Sequence, residues 1–308
     1  MSSANRSVLS QEDLEHRREW LDDISRGSGN FGAAVDRLEN KIAGEINAAG
    51  VPPLLNHLRL CGAIPERYGR DSSEEKLYSK YTDIVIHRAF TAIGLSSNVL
   101  SERADSADVE CACPEYEFVA DAKAFRLSRT AKNQKDFKVQ AMDSWKRGRP
   151  YATVVCPAYQ LPSRASQIYQ QAASRNVFVS TYTHLCALVR LANVRGTDLA
   201  LASLHQLFRA VETMNPSKNA VAYWQTVNRT LLDADATLSS IWREEKIATV
   251  KSILMSKEEA LRFLQEARMR IMRMSKQEAV TELLRASKLD KRVTKVKSVK
   301  PNGLLDIT

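Results

Sequence analysis

The sequence is poor in the residues that build several common kinds of site. It has five cysteines in 308 residues, an odd number, and no two stand in a C-x-x-C spacing, which argues against a disulfide framework and against a zinc ribbon. Free thiols of this kind fit a reducing cytoplasm. The five histidines are scattered, and neither H-E-x-x-H nor a Ser-His-Asp arrangement occurs, so zinc-protease and serine-hydrolase chemistry have no motif to stand on. No apolar run approaches membrane-spanning length, and residues 1–6 have no apolar signal core. The expectation is a cytoplasmic protein with no membrane partner. No long low-complexity linker divides the chain, which favours one compact body with appended helical parts.

Acid is also in short supply. There are 36 Asp and Glu against 45 Lys and Arg, a net charge of +9 with a pI near 9.3. Such an excess suits a polyanionic partner, nucleic acid first and an acidic membrane surface second, and charge by itself does not choose between them.

What is present is concentrated in the middle of the chain. Residues 116–123 alternate as a half-buried strand, with Tyr116, Phe118, Ala120 and Ala122 on one face and Glu117, Val119, Asp121 and Lys123 on the other. Asp121 and Lys123 therefore point the same way. Upstream, Asp108 opens a second strand-like segment that a turn at Pro114-Glu115 folds back. Two carboxylates held close repel unless a cation sits between them, and hard oxygen ligands with open positions suit Mg²⁺. Such an ion polarises a phosphate and lowers the pKa of a bound water, while a neighbouring ammonium stabilises the transferring group. A lone Asp-Ala-Lys at a strand end is usually an exposed ion pair; the upstream acid and the basic run that follows raise it above that. An acid, a hairpin and Asp-x-Lys is the spacing of the PD-(D/E)XK nuclease core.

After Lys123, the cations Arg126, Arg129, Lys132, Lys135 and Lys138 recur every three residues, with Ser128, Thr130, Asn133 and Gln134 between them. On an α-helix that period winds the charges around the rod, where they can follow a phosphate backbone while the amides and hydroxyls reach base edges or sugar oxygens. These nine residues are the expected DNA contacts. The bland alternative, a solvated charged surface, is weakened by their adjacency to the acids.

Helical patterns flank this centre. Ser10 to about Ser25 and Phe31 to Ala48 read as helices, the second broken by Gly50 and Pro52-Pro53. Residues 72–94 form the best-defined helix, opened by Ser72 with Glu75 as a capping box. Tyr151–Cys156 and Val177–Ser180 read as strands, with helices from Arg164 to Ser174 and Thr183 to Leu191. His184 reads as a capping or core histidine. The C-terminal third is helical: Ala220 to Ala234, Ser239 to Leu254 and Ser256 to Met274, with capping boxes at Ser256/Glu259 and Ser275/Glu278, then a basic segment from Arg285 to Lys300.

The segment Phe118–Lys123, continuing from Phe125 through Val139, resembles the central segment of HindIII-type restriction endonucleases nearly residue for residue. Glu75-Lys76-Leu77-Tyr78-Ser79-Lys80, Asp83-Ile84-Val85 and Gly62-Ala63-Ile64-Pro65-Glu66 also resemble that family. The likeness runs from about residue 62 to residue 190 and departs in the Asp108–Asp121 hairpin and the C-terminal third. It implies a homodimeric, Mg²⁺-dependent type II enzyme that cuts double-stranded DNA at AAGCTT between the two adenines to leave a 5′ overhang, with a cognate DNA methyltransferase protecting the host. It also makes Glu75, weighed against its role as a cap, the acid that the preceding helix aims at a metal.

The expected fold is α/β: a PD-(D/E)XK restriction-endonuclease-like mixed sheet flanked by helices, with extra N- and C-terminal helices. Residues 1–60 form an N-terminal helical region, 61–195 the catalytic core and 196–308 a helical region with a basic tail. Asp108, Asp121 and the carbonyl of Ala122 are the expected Mg²⁺ ligands and Lys123 the cation that orients water or stabilises the transition state. Two rivals remain open: a PD-(D/E)XK nuclease of DNA repair or junction resolution, and a non-catalytic DNA-binding regulator.

Overall fold

The computed structural model describes residues 9–27, 30–100, 106–129 and 134–298. Three helices, α1 (Gln11–Gly27), α2 (Phe31–Ala49) and α3 (Val51–Leu60), precede the long α4 (Ser73–Ile93). Then come β1 (Ser96–Val99), β2 (Val109–Ala112) and β3 (Glu117–Ala122), the short α5 (Gln134–Phe137) and α6 (Val139–Trp145), β4 (Tyr151–Cys156), α7 (Gln167–Ser174) and β5 (Val177–Thr181). The chain continues through α8 (Tyr182–Arg195), α9 (Thr197–Glu212), α10 (Ala220–Asp233), α11 (Leu238–Met272), α12 (Lys276–Ala286) and α13 (Leu289–Lys297). It forms two compact units, Met1–Ala260 and Leu261–Thr308. Among the described residues no helix is long and apolar enough to cross a membrane.

The five strands lie in the order β1-β2-β3-β4-β5, antiparallel from β1 to β3 and parallel from β3 to β5. Hairpins explain the first half and helical crossovers the second. The expected mixed α/β architecture is what forms. The half-buried alternation read over residues 116–123 is not: within β3 Phe118, Val119, Ala120 and Asp121 are all buried. β3 is the central strand, paired on both edges and covered on both faces, so both sets of side chains leave water. On one face Phe118 meets Phe90 of α4 and Phe208 of α9, at ring separations of 5.1 and 4.9 Å. The outer edge of β5 is closed by Tyr223 of α10, whose hydroxyl accepts from the Val179 N–H at 2.8 Å and donates to its carbonyl at 3.1 Å. That satisfies the mid-strand backbone groups of Val179 at the sheet edge.

Three other local readings change. Pro52 and Pro53 start a helix, α3, instead of only ending one, because proline lacks just the N–H that a first turn leaves unpaired. No cap forms at Ser256, which is buried inside the unbroken 35-residue α11; Glu259 instead approaches Arg17 to 3.7 Å. The winding basic rod does not form among the described residues. Residues 123–129 run as loop and turn, α5 is a single turn, and Lys138 adopts the left-handed φ of 47° that separates α5 from α6. Thr130, Lys132 and Asn133 lie outside the described residues, as do the side chains of Gln134 and Lys135. Within the second unit the Ser275/Glu278 capping box forms as read.

Buried polar groups tie α11 to the body of the first unit. Glu245, 1% exposed, accepts from Arg59 at 2.9 and 2.6 Å and from Arg190 at 2.8 Å. His184 is a core residue as expected, bonded to Thr181 and Asn228, and burial pushes its pKa down to about 4. Glu45 is held down to about 2: burial opposes ionisation, but hydrogen bonds from His57, His16 and Trp20 outweigh it.

Glu245→Ala leaves two guanidinium groups facing an empty site and is expected to cost about 3–5 kcal/mol, read as a lower urea midpoint. Acid sensitivity follows from the depressed pKa values. The stabilisation from His184 is complete above its unfolded pKa of 6.5 and lost as the pH falls towards 4; that from Glu45 is lost between 4.5 and 2. His184→Gln is therefore expected to raise Tm at about pH 4.5, relative to Tm at about pH 7.5, above the same difference in the parent protein, because it removes the one contribution that this histidine loses between 6.5 and 4.

Candidate active site

The site lies where the β2–β3 hairpin opens. Antiparallel pairing of Val109 with Ala120 brings the entry of β2 to the exit of β3, and the Asp108 N–H donates to the Ala120 carbonyl at 3.1 Å. Asp108 is thereby fastened beside Asp121. Asp121 is 1% exposed; neither carboxylate oxygen meets a hydrogen-bond donor in good geometry. Its partners are charges: the Lys123 ammonium is in direct contact with Oδ2, and that of Lys138 lies 4.0 Å from Oδ1.

A third acid joins them from α4. Asp83 is 3% exposed and pairs with Lys80 at 3.2 Å. Burial, and after it the charge of Asp121 working against that of Lys80, pushes the Asp83 carboxyl up to about 7. Burial and the charges of Asp83 and Asp121 push Asp108 up to about 9, against the pull of Lys123. Three acids and the three lysines Lys80, Lys123 and Lys138 form one electrostatic cluster.

Glu75 stands elsewhere. Its N–H is capped by the Ser72 hydroxyl at 3.2 Å, and its carboxylate accepts from the Asp71 N–H at 2.6 Å and pairs with Arg126 at 3.0 Å. Sequence reasoning passed over Asp83, two turns further along the same helix. Its signal was a carboxylate set between Tyr81 and Ile84 inside an apolar stripe, where an unpaired charge is costly.

A polar scaffold fixes the exit of β3. The Lys123 N–H donates to the Val155 carbonyl at 2.8 Å, and the Lys123 carbonyl accepts from the Tyr182 hydroxyl at 3.0 Å. One turn on, the Phe125 N–H donates to the Gly62 carbonyl at 3.0 Å, and the Tyr159 hydroxyl bridges the Gly62 and Phe125 carbonyls at 2.9 and 2.6 Å. Gly62 has no room for a side chain, since a Cβ there would lie 2.8 Å from Pro157 Cβ. Arg17 donates to the Leu60 and Ala63 carbonyls, and Tyr78 donates to those of Cys61 and Ala63 at 3.0 and 2.8 Å.

The basic segment is anchored at its start. Arg126 donates to the Gly69 carbonyl at 3.2 Å besides its pair with Glu75. Ser128 donates twice to Glu66, at 2.9 and 2.8 Å, and Arg129 pairs with Asp136 at 2.9 Å.

Among the described residues no three His, Cys, Asp or Glu are placed to hold an ion. The two buried oxygens of Asp121 that no hydrogen-bond donor satisfies, with Asp108 beside them and the strand-end carbonyl of Ala122, nevertheless fit a hard divalent cation whose shell solvent completes. The model of the HindIII restriction endonuclease family matches residues 18–300. The chain belongs to that family. Over 136 residues this HindIII-family chain is 43% identical to the type II restriction enzyme HindIII of Haemophilus influenzae, an alignment covering 44% of this chain and 45% of that relative. The chain thus matches under half the length of the curated relative.

Tyr159→Phe removes the bridge between the two loops beneath the site. The expected loss is about 1–2 kcal/mol in a urea titration, with the far-ultraviolet circular dichroism unchanged.

Proposed function

We propose that the protein is a type II restriction endonuclease making Mg²⁺-dependent double-strand cuts in a short palindrome, AAGCTT cut between its two adenines, with 5′-phosphate ends and a 5′ overhang. The observation that carries this reading is Asp121, buried against Lys123 at the exit of β3 with Asp108 held beside it, in a chain of the HindIII family. Asp108, Asp121 and the carbonyl of Ala122 hold Mg²⁺, which when bound supplies Lewis acidity to the scissile phosphate and a water of lowered pKa.

The other roles belong to the chain itself. Lys123, released from Asp121, faces the phosphate and stabilises its developing charge. Asp83 adds negative potential at the metal side, and Glu75 positions Arg126 for the backbone. Arg126, Ser128, Arg129, Thr130, Lys132, Asn133, Gln134, Lys135 and Lys138 contact DNA, the cations at phosphates and the neutral groups at base edges or sugars. Residues 61–195 are the catalytic core. A palindromic target calls for a two-fold homodimer with one site per strand, and a cognate methyltransferase protects host DNA.

Plasmid digestion with Mg²⁺ is expected to yield discrete fragments whose ends map to AAGCTT; a smear would point to structure-directed repair or junction cleavage, and binding without scission to a regulator. Lys123→Ala is expected to lower kcat by about 10²–10³, and Asp121→Asn to abolish cleavage, both with DNA binding largely retained. Mg²⁺-dependent nicking by both variants at the unaltered rate refutes the assignment.

A further inference from the structure

The two cations on Asp121 are not equivalent. Lys123 is only 11% exposed, and its own N–H and carbonyl are pinned by Val155 and Tyr182. Lys138 is 47% exposed at the junction of α5 and α6. Its ammonium lies 4.0 Å from Asp121 Oδ1 and 5.1 Å from the centre of the Trp145 ring. Its backbone holds a φ of 47°, a conformation that disfavours a lysine and that nothing about helix formation requires of one. A long cation with one face on an aromatic ring has a second resting place within reach.

We propose that Lys138 is an exchangeable counter-ion: in the metal-free protein it neutralises Asp121 Oδ1, and when a divalent cation takes that oxygen the ammonium turns to the DNA phosphate beside the cut. The inference rests on the nuclease reading above. Its logic is charge balance. The ammonium groups of Lys123 and Lys138 offset the charge of Asp121 among neighbouring acids, and a cation that stays on Asp121 after a metal arrives would meet like charge at close range. A ligand that leaves must go where negative charge is next densest, which at this site is the phosphate backbone. The same lysine then couples the two binding events, opposing the metal when DNA is absent and helping to hold DNA once the metal is in.

The test separates charge from backbone. Lys138→Asn removes the ammonium but keeps a residue that tolerates the left-handed region; Lys138→Met keeps the stem; Lys138→Arg keeps the charge. Manganese binding to the full-length protein without DNA, followed by calorimetry, is expected to tighten about two- to fivefold in the Asn and Met variants, the range set by a half-exposed ion pair, and to stay unaltered in the Arg variant. With Mg²⁺ and an uncleavable phosphorothioate duplex, the slope of log affinity against log salt is expected to become shallower by about one per site in the Asn and Met variants. Without the metal it should not move. Unchanged manganese affinity in both uncharged variants overturns the exchange, as does a salt slope that ignores the metal. Asp121→Asn serves as the reference: if it binds manganese as well as the parent, the nuclease reading itself fails, a result distinct from failure of the exchange alone.

Discussion

Everything at this site follows from placing like charges together out of water. Asp83, Asp108 and Asp121 come from a helix, a strand entry and a strand exit; at Asp83 and Asp108 burial raises the energy of the ionised form and the neighbouring carboxylates add to it. The ammonium groups of Lys80, Lys123 and Lys138 lie against Asp83 and Asp121 and offset part of that charge. Such a cluster is unstable by design of its surroundings: it holds a proton or a cation readily and gives little back to folding, so the stability has to come from elsewhere in the molecule.

It comes from the scaffold beneath. Hydroxyls of Tyr78, Tyr159 and Tyr182 and the guanidinium of Arg17 satisfy main-chain carbonyls of residues 60–63, from the end of α3 into the loop after it, and of residues 123 and 125 beyond β3. Buried carbonyls left unpaired there would each be costly, and paired ones stiffen the loops that carry the site. The aromatic layer of Phe90, Phe118 and Phe208 seals the opposite face of β3. Precision at Asp121 and Lys123 is thus inherited from apolar packing on one side of the strand and from hydroxyl clamps at its end.

The basic segment after β3 shows how tertiary partners override periodicity. Three-residue spacing of cations reads as a wound helix, yet Arg126 and Ser128 are each drawn to acids far away in sequence, Glu75 and Glu66. A charge-assisted bond to a fixed acid outweighs the few tenths of a kcal/mol by which helix propensity favours one residue over another. Glu75 is explained by the same contact. Ser72 caps α4 through the Glu75 N–H, but the Glu75 carboxylate takes the Asp71 N–H and Arg126 instead of closing a capping box on Ser72, while the acid that approaches the site is Asp83.

By itself the sequence determined the hairpin, the Asp-x-Lys strand, the two later strands, most helices and their caps, because these depend on short-range alternation, turn residues and capping chemistry. It also marked Asp108, Asp121 and Lys123, since a strand's period of two forces residues 121 and 123 to one side. Only the tertiary structure decided that β3 is buried on both faces, that Asp83 rather than its neighbours on α4 meets the pair, and that Lys138 reaches back to Asp121. Those outcomes depend on how separate elements cross, and no spacing along one element encodes the distance between two.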